Sequence, residues 1–405
     1  MTQAARRIVV VSPTPALEAP GHAGGQLVSS IVMSYRSLGD HVVLLAPSTA
    51  PTLVELERTK VICDTRLLGR PRDNRGLRRL LLTLAHRAMP PMLRWDPYLP
   101  WIPLVLDLLT DPSLRALLRG ADVVDLQWEE YGRLAPLVKM LSPGSLITCM
   151  FHDVNDQRAT RRLHAADTTS IKKARRQLRQ VQRAERRLTA RLDAAFVLSE
   201  KDKKVLTSVA PGAPTRVVPP PLADSSIPMV DTEHREAAVG FVSALGRQEN
   251  RDAAHRLVHS VWPLIHQALP DARLILVGGG LDLSTKAGFL EVPGVEVTGF
   301  VDDLDAQYRR FSATLSPIST GAGVKFKILE SIIRGLPTIT TSVGIEGIEP
   351  DLAEAVGDDD AELARATIAA LQDTDAPKRA RAASAQARQL YSRERFHQEY
   401  QAAFR

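Results

Sequence analysis

Gly321, Gly323, Lys325 and Glu330 fall within ten residues of one another, in a stretch that runs from Ser316 through Pro337 to Thr341. An apolar strand ending at Leu315 or Ser316 feeds a loop holding the two glycines. An amphipathic helix follows, with Ile328, Leu329, Ile332 and Ile333 on its apolar side. Glycines let the main chain come close to a ligand, and the amides that open a helix point outward with partial positive charge. Lys325, expected in the first turn, adds a full charge. The chemistry such a group suits is the seating of a diphosphate. Glu330 lies about one and a half turns deeper, where a carboxylate can accept hydrogen bonds from ribose hydroxyls.

Holding these groups in place takes a strand, a sharp loop and a helix, and the chain repeats that unit. Arg7 to Ser12 reads as a first buried strand. A loop to Gln26 containing Gly24 and Gly25 follows, then a helix from about Leu27 to Leu38 and a strand from Val42 to Leu45. The crossover helix returns the second strand parallel to the first. Ala121 to Trp128 looks like another strand. Leu146 to Phe151 is one more, and it runs directly into His152 and Asp153, where open α/β sheets hold ligands. Leu192 to Ser199 and Thr215 to Val218 complete this half, with Ser199 and Asp202 as a capping pair.

The same grammar restarts at Ala238 to Leu245. Gly246, Arg247 and Asn250 then emerge in a loop ahead of a helix from Asp252 to Gln267. Arg273 to Val277 leads to Gly278, Gly279 and Gly280, a weak dinucleotide signal because Leu283 stands where the last spaced glycine belongs. Val295 to Asp303, with Phe300 near its end, is the next strand and helix start, and Asp302 and Asp303 read as caps. From Pro51 to Pro112 the pattern is hard to read. The proline-broken run Met89 to Pro103 excludes a continuous helix, and Trp95, Tyr98 and Trp101 there suit aromatic packing or an acceptor pocket.

A chain of 405 residues, 44% hydrophobic and 24% charged, is long enough for two α/β cores. The stiff connector Pro219 to Pro221 marks their boundary, giving an N-terminal domain over 1–221 and a C-terminal one over 222–390. Cys63 and Cys149 are the only cysteines, too few for a disulfide framework or a cysteine metal cluster, which fits a reducing compartment. The N-terminal apolar run is too short for a signal peptide, and no stretch approaches the roughly 18 apolar residues of a membrane span, so the expected location is cytoplasmic.

The net charge of +6 is uneven: Arg158 to Arg191 hold twelve Lys/Arg against Asp167 and Glu185, leaving the rest of the chain net negative. A long solvated helix is the plain account of this stripe. It also suits nucleic acid, an anionic membrane face or an anionic acceptor. The expectation is a weak peripheral membrane contact through 158–191 and no nucleic-acid partner.

The run Gly321 to Glu330, followed by Gly335 to Pro337 and then Gly344 to Gly347, closely resembles the sugar-nucleotide site of GT-B glycosyltransferases, in the retaining family often numbered four. The resemblance covers most of the chain, strongest over 238–372. It implies two Rossmann-like, doubly wound parallel-sheet domains facing a cleft, with a last helix over 391–405 crossing back to the first domain. It also implies transfer of a hexose-type sugar from a nucleoside-diphosphate sugar to an acceptor, with retention of configuration and without metal or other cofactor. Arg247 and Lys325 would steady the departing diphosphate, while His152 and Asp153 position donor sugar and acceptor. The nucleotide-sugar site would be completed by Gly24, Gly25, Gly246, Asn250, Gly278, Gly279, Phe300, Gly321, Ala322, Gly323, Val324 and Glu330.

Two departures stand out. Pro219 to Pro221 replaces the family's usual Pro-Asn-Gly, and Ala322 occupies the place of the first of two glutamates spaced eight apart. Sugar recognition then falls to the amides of Gly321 to Gly323. A nucleotide-sugar epimerase and a non-catalytic sugar-nucleotide-binding subunit are the other functions this fold accommodates. The residues do not name the base, the sugar or the acceptor.

Overall fold

In a computed structural model the protein is described over residues 5–18, 23–69, 102–164, 166–222, 227–231 and 237–404. It divides into two compact units, Met1–Val218 with His397–Arg405, and Pro219–Phe396. Trp95, Tyr98 and Trp101, and the residues Gly21 and His22 ahead of the first glycine pair, lie outside the described residues.

Unit 1 carries seven strands: β1 (Arg7–Val11), β2 (His41–Pro47), β3 (Asp64–Leu68), β4 (Val123–Gln127), β5 (Leu146–Phe151), β6 (Ala194–Val197) and β7 (Thr215–Val217), in the order β3-β2-β1-β4-β5-β6-β7. Unit 2 carries six: β8 (Ala238–Val242), β9 (Arg273–Val277), β10 (Val295–Gly299), β11 (Ala313–Ser316), β12 (Thr338–Thr340) and β13 (Ala355–Val356), in the order β10-β9-β8-β11-β12-β13. All pairings in both sheets are parallel; Val9 sits opposite Val43 on one side and Val124 on the other. Helices cover both faces of a parallel sheet, so its central strands are buried and mostly apolar, with Asp125 and Gln127 on β4 as buried polar exceptions. Ile8–Val11 and Leu274–Val277 are accordingly buried at every position.

Each sheet grows outward from its first strand in one direction and then reverses. The reversal falls between β1 and β4 in unit 1 and between β8 and β11 in unit 2. At such a point the loops leaving neighbouring strands turn to opposite faces and leave a crevice beyond the carboxyl ends.

Two elements differ from expectation, and a third stretch, hard to read in the sequence, gains elements. The first helix begins at Ala23, so Gly24 and Gly25 form its opening turn rather than a loop. Leu27, Val28, Ile31, Val32 and Tyr35 already define a buried face, and Gly25 is buried at its start. The helix expected over Asp252 to Gln267 is three pieces: Gln248–Arg256, a π turn Leu257–Val261, and Trp262–Ala268. Pro263 has no amide to donate and crowds the preceding turn, and a wider turn accommodates it. The stretch after Pro51 contains β3 and the helices Ile102–Thr110 and Pro112–Arg119.

The last helix is Arg393–Ala402, and its residues from His397 onward belong to unit 1. Tyr400 packs on Phe196 and Tyr35 at ring separations of 4.5 and 5.4 Å, and the guanidinium of Arg6 lies 5.1 Å from the ring of Phe404. The basic stripe forms the helix Ile171–Thr189, which turns Ala174, Val181, Glu185 and Leu188 inward and exposes eight Lys/Arg outward. Among the described residues no helix is long and apolar enough to cross a membrane.

Candidate functional site

In unit 2 the residues singled out by the sequence gather where β8 and β11 diverge. Three of its helices begin in the usual way: Asp282, Asp303 and Asp359 cap the following turns by accepting from Thr285, Ala306 and Glu362 amides at 2.9, 2.9 and 2.7 Å. The two helices that start beside the switch point do not. Gln248–Arg256 has Arg247 at its capping position, Phe326–Ile333 has Lys325, and neither receives a side-chain cap. A cation at the positive end of a helix is disfavoured by about 0.3–1 kcal/mol, an effect that Glu249 in the first turn of Gln248–Arg256 offsets in part. An anion seated beside these cations reverses the sign of that effect.

The two starts are joined by Lys327, which the sequence reading passed over. Its ammonium donates to Ser243 Oγ at 2.8 Å and to Asn250 Oδ1, and it sits 5.7 Å from the Phe241 ring. Burial, then the charge of Arg247, push Lys327 down to about 7; Glu249 opposes the shift and Lys325 adds to it. Arg247 itself is 67% exposed and pairs with Glu249 at 2.5 Å. The available signal for Lys327 was its place in the first turn of a glycine-led helix, but only the fold points it at β8.

Lys325 departs from expectation. It stands one residue ahead of the helix, buried, and its ammonium donates to Gly323 O at 2.8 Å and lies 3.4 Å from Glu346 Oε2. Its charge therefore shapes the Gly321–Val324 loop as well as adding to the local field. The loop needs its glycines: Gly321 and Gly323 have φ of +117° and +67°. The turn after β9 needs them for a different reason. A Cβ on Gly278 would fall 1.8 Å from Ser243 O, and one on Gly280 2.5 Å from Gly246 N. Backbone thus meets backbone between Ser243–Gly246 and Gly278–Gly280. Phe300, 73% exposed, flanks the same turn, 3.2 Å from where a Gly279 Cβ would sit.

Glu330 lies further along the helix, with Oε1 accepting from Arg334 at 3.0 Å. Arg334 is buried, lies 2.7 Å from Asp305 and stacks 4.2 Å from the Tyr308 ring. This frame fixes the carboxylate's direction before any ligand arrives.

His152, Asp153, Gly24 and Gly25 belong to unit 1, at the carboxyl ends of β5 and β1. Asp153 is ion-paired to Arg158 at 2.7 Å. His152 is buried and stacks flat on Trp128, ring centres 3.5 Å apart at 8°. Trp128 has φ +66°, rare for a bulky residue, directly after β4. The next residue, Glu129, and Glu185 on the basic helix are both buried. They accept from the amides of Asn155 and Asp156 at 3.3 and 2.9 Å, and so hold the start of the helix after His152. Burial and the closeness of the two like charges push this pair above the usual glutamate range. Among the described residues no three His, Cys, Asp or Glu side chains form a group that could hold a metal ion.

Known proteins resemble the chain in one segment and in fold. Residues 236–373, which contain every unit 2 residue named above, match the family described as Glycosyl transferases group 1. No curated protein matches the sequence. Solved structures do match in fold. HepE (Alr3699) of Anabaena, in complex with UDP and glucose, has a TM-score of 0.69 at 14% identity over 98% of this chain and 99% of that one. Sucrose-phosphate synthase from Thermosynechococcus elongatus has a TM-score of 0.66 at 15% identity over 98% of each. The trehalose 6-phosphate synthase of Burkholderia multivorans has 0.62 at 13% identity over 98% of this chain and 96% of that one. The fold is GT-B, with two Rossmann-like units.

Proposed function

We propose that the protein is a glycosyltransferase that moves a sugar from a nucleoside-diphosphate sugar to an acceptor hydroxyl. The observation that carries this is the pair of helix starts at the β8/β11 switch point, each with a cation where a cap belongs, joined by the buried Lys327 and lying inside the family-matched segment. The anomeric C–O bond breaks with its electron pair passing to the diphosphate, which gains about one negative charge. Arg247, Lys325, Lys327 and the helix-start amides oppose that charge, and donors fixed in advance of the reaction are each worth about 10²–10³ in rate. The acceptor oxygen forms the new bond on the face the diphosphate leaves, and its proton passes to a diphosphate oxygen. Configuration is thereby retained, with neither a protein base nor a metal required.

Phe300 offers its exposed face to the base, and the framed carboxylate of Glu330 offers acceptors to ribose hydroxyls. The uridine nucleotides held by HepE make UDP the first nucleotide to test. His152, Asp153, Gly24 and Gly25 serve the sugar and acceptor, and the outward basic face of Ile171–Thr189 rests on an anionic surface.

Incubation with UDP-, GDP- and TDP-sugars tests the assignment. Release of nucleoside diphosphate only when an acceptor is added supports transfer. A free isomerised sugar would make the protein an epimerase, and binding without turnover a non-catalytic subunit.

A further inference from the structure

Inside unit 1 a chain of buried hydrogen bonds runs from the last helix to His152, and the function proposed above makes no use of it. Its hub is Asp125 on β4, which is wholly buried. Asp125 Oδ1 accepts from Thr148 Oγ1 at 2.8 Å. Oδ2 accepts from the Tyr35 hydroxyl at 3.2 Å, from Gln127 Nε2 at 3.0 Å and from the hydroxyl of Tyr400 on the last helix. The other end of the Gln127 carboxamide completes the chain, with Oε1 3.2 Å from His152 Nε2.

A carboxamide has one end of each kind: its NH₂ only donates and its oxygen only accepts. A carboxylate only accepts, so Asp125 claims the NH₂ end and turns the oxygen of Gln127 toward the imidazole. The ring nitrogen facing that oxygen must then be the donor. We propose that Asp125 and Gln127 are positioning residues that hold His152 as its Nε2–H tautomer. In the neutral ring Nδ1 then carries the lone pair. Trp128 holds the plane: stacked 3.5 Å away and nearly parallel, it prevents the imidazole from tipping out of line with Gln127. Trp128 holds this stacked position with a positive φ, the kind of backbone strain that persists where the surroundings over-determine it.

The tautomer follows from hydrogen-bond geometry alone; only its effect on turnover rests on the transferase proposal. The test uses the full-length chain labelled with ¹⁵N-histidine and two-bond ¹⁵N–¹H spectra, with the His152 signals identified by their loss in His152→Gln. The expected wild-type spectrum shows protonated Nε2 and unprotonated Nδ1 without averaging. Gln127→Leu should give exchange-averaged ring nitrogens, and Gln127→Glu, which keeps an acceptor, should restore the single form. A wild-type Nδ1–H or averaged tautomer overturns the proposal with no variant needed, and so does an unchanged spectrum in a folded Gln127→Leu. In a transfer assay Gln127→Leu should lower kcat about tenfold with the donor KM unchanged, and Gln127→Glu should recover it. Absence of transfer by the wild-type protein would sink the transferase assignment while leaving the tautomer result standing.

Discussion

The two units reverse strand order at the same place and fill it with opposite chemistry. At the β8/β11 switch point of unit 2 stand Arg247, Lys325 and Lys327 around two uncapped helix starts. Around the β1/β4 switch point of unit 1 stand Asp125, Glu129 and Glu185, all buried, with His152 and Trp128 stacked beside them. Topology decides where a crevice opens, because it decides where neighbouring loops part. Charge decides what enters it. In unit 2 Glu249 and Glu346 balance Arg247 and Lys325, while the buried Lys327 faces Arg247 with its charge disfavoured, so an anion there is stabilised. In unit 1 like charges are relieved by protons, as the upward shifts of Glu129 and Glu185 show, so that region needs no ion to be stable.

The contrast can be broken most directly at unit 2. Arg247→Ala and Lys325→Ala should each reduce sugar transfer by about 10²-fold or more, measured as nucleoside diphosphate release. His152→Ala should leave UDP affinity at the wild-type value. Near-normal rates in both cation variants would erase the distinction between the units.

A smaller effect sharpens it. Lys327 is depressed to about 7, so above that pH the empty site holds it neutral while a bound diphosphate favours the charged form. Binding must then take up a proton, and UDP affinity should weaken by up to tenfold per pH unit above about 7. Calorimetry in buffers of different ionisation enthalpy should show that uptake in the wild type and none in Lys327→Met; equal uptake in both would assign the proton elsewhere.

The smallest effect lies in unit 1. Glu129 and Glu185 titrate above the ordinary glutamate value of 4.5 when folded. The folded pair therefore holds more protons than the unfolded one in a window that opens near the ordinary glutamate value and extends above it. Stability from this source is present at low pH and is lost as pH rises. Glu185→Gln keeps the acceptor for the Asp156 amide and removes the charge. It should raise Tm by a few degrees at pH 8 and by little at pH 5, at about 2–4 °C per kcal/mol for a unit of this size. An equal change at both pH values would show that no like-charge pair is being relieved.

Much of the architecture was legible because its causes are local. Apolar runs of four or five residues between glycine and helix signals announce buried parallel strands. Ser199 ahead of Asp202 announces a cap, which the structure forms with Asp202 N donating to Ser199 Oγ at 3.1 Å. Gly321 and Gly323 announce a loop that needs positive φ. The helix opening at Ala23 was missed because glycines discourage helix locally, whereas burial of Gly25 and the residues after it outweighs that preference.

By itself, then, the sequence determined the alternation of strands and helices, the glycine turns, and a cation beside the glycine-led helix start, all of which depend on neighbours within a few positions; that Arg247 also heads a helix, Gln248–Arg256, came from the structure. Tertiary structure alone decided the rest. It brought Lys327 to Ser243 and Asn250, set Glu129 against Glu185, and carried Tyr400 back to Asp125, which lies 275 residues earlier in the chain. Pairs so distant leave no periodic trace in the chain. Their chemistry depends on loss of water around them, and that loss exists only once the core has closed.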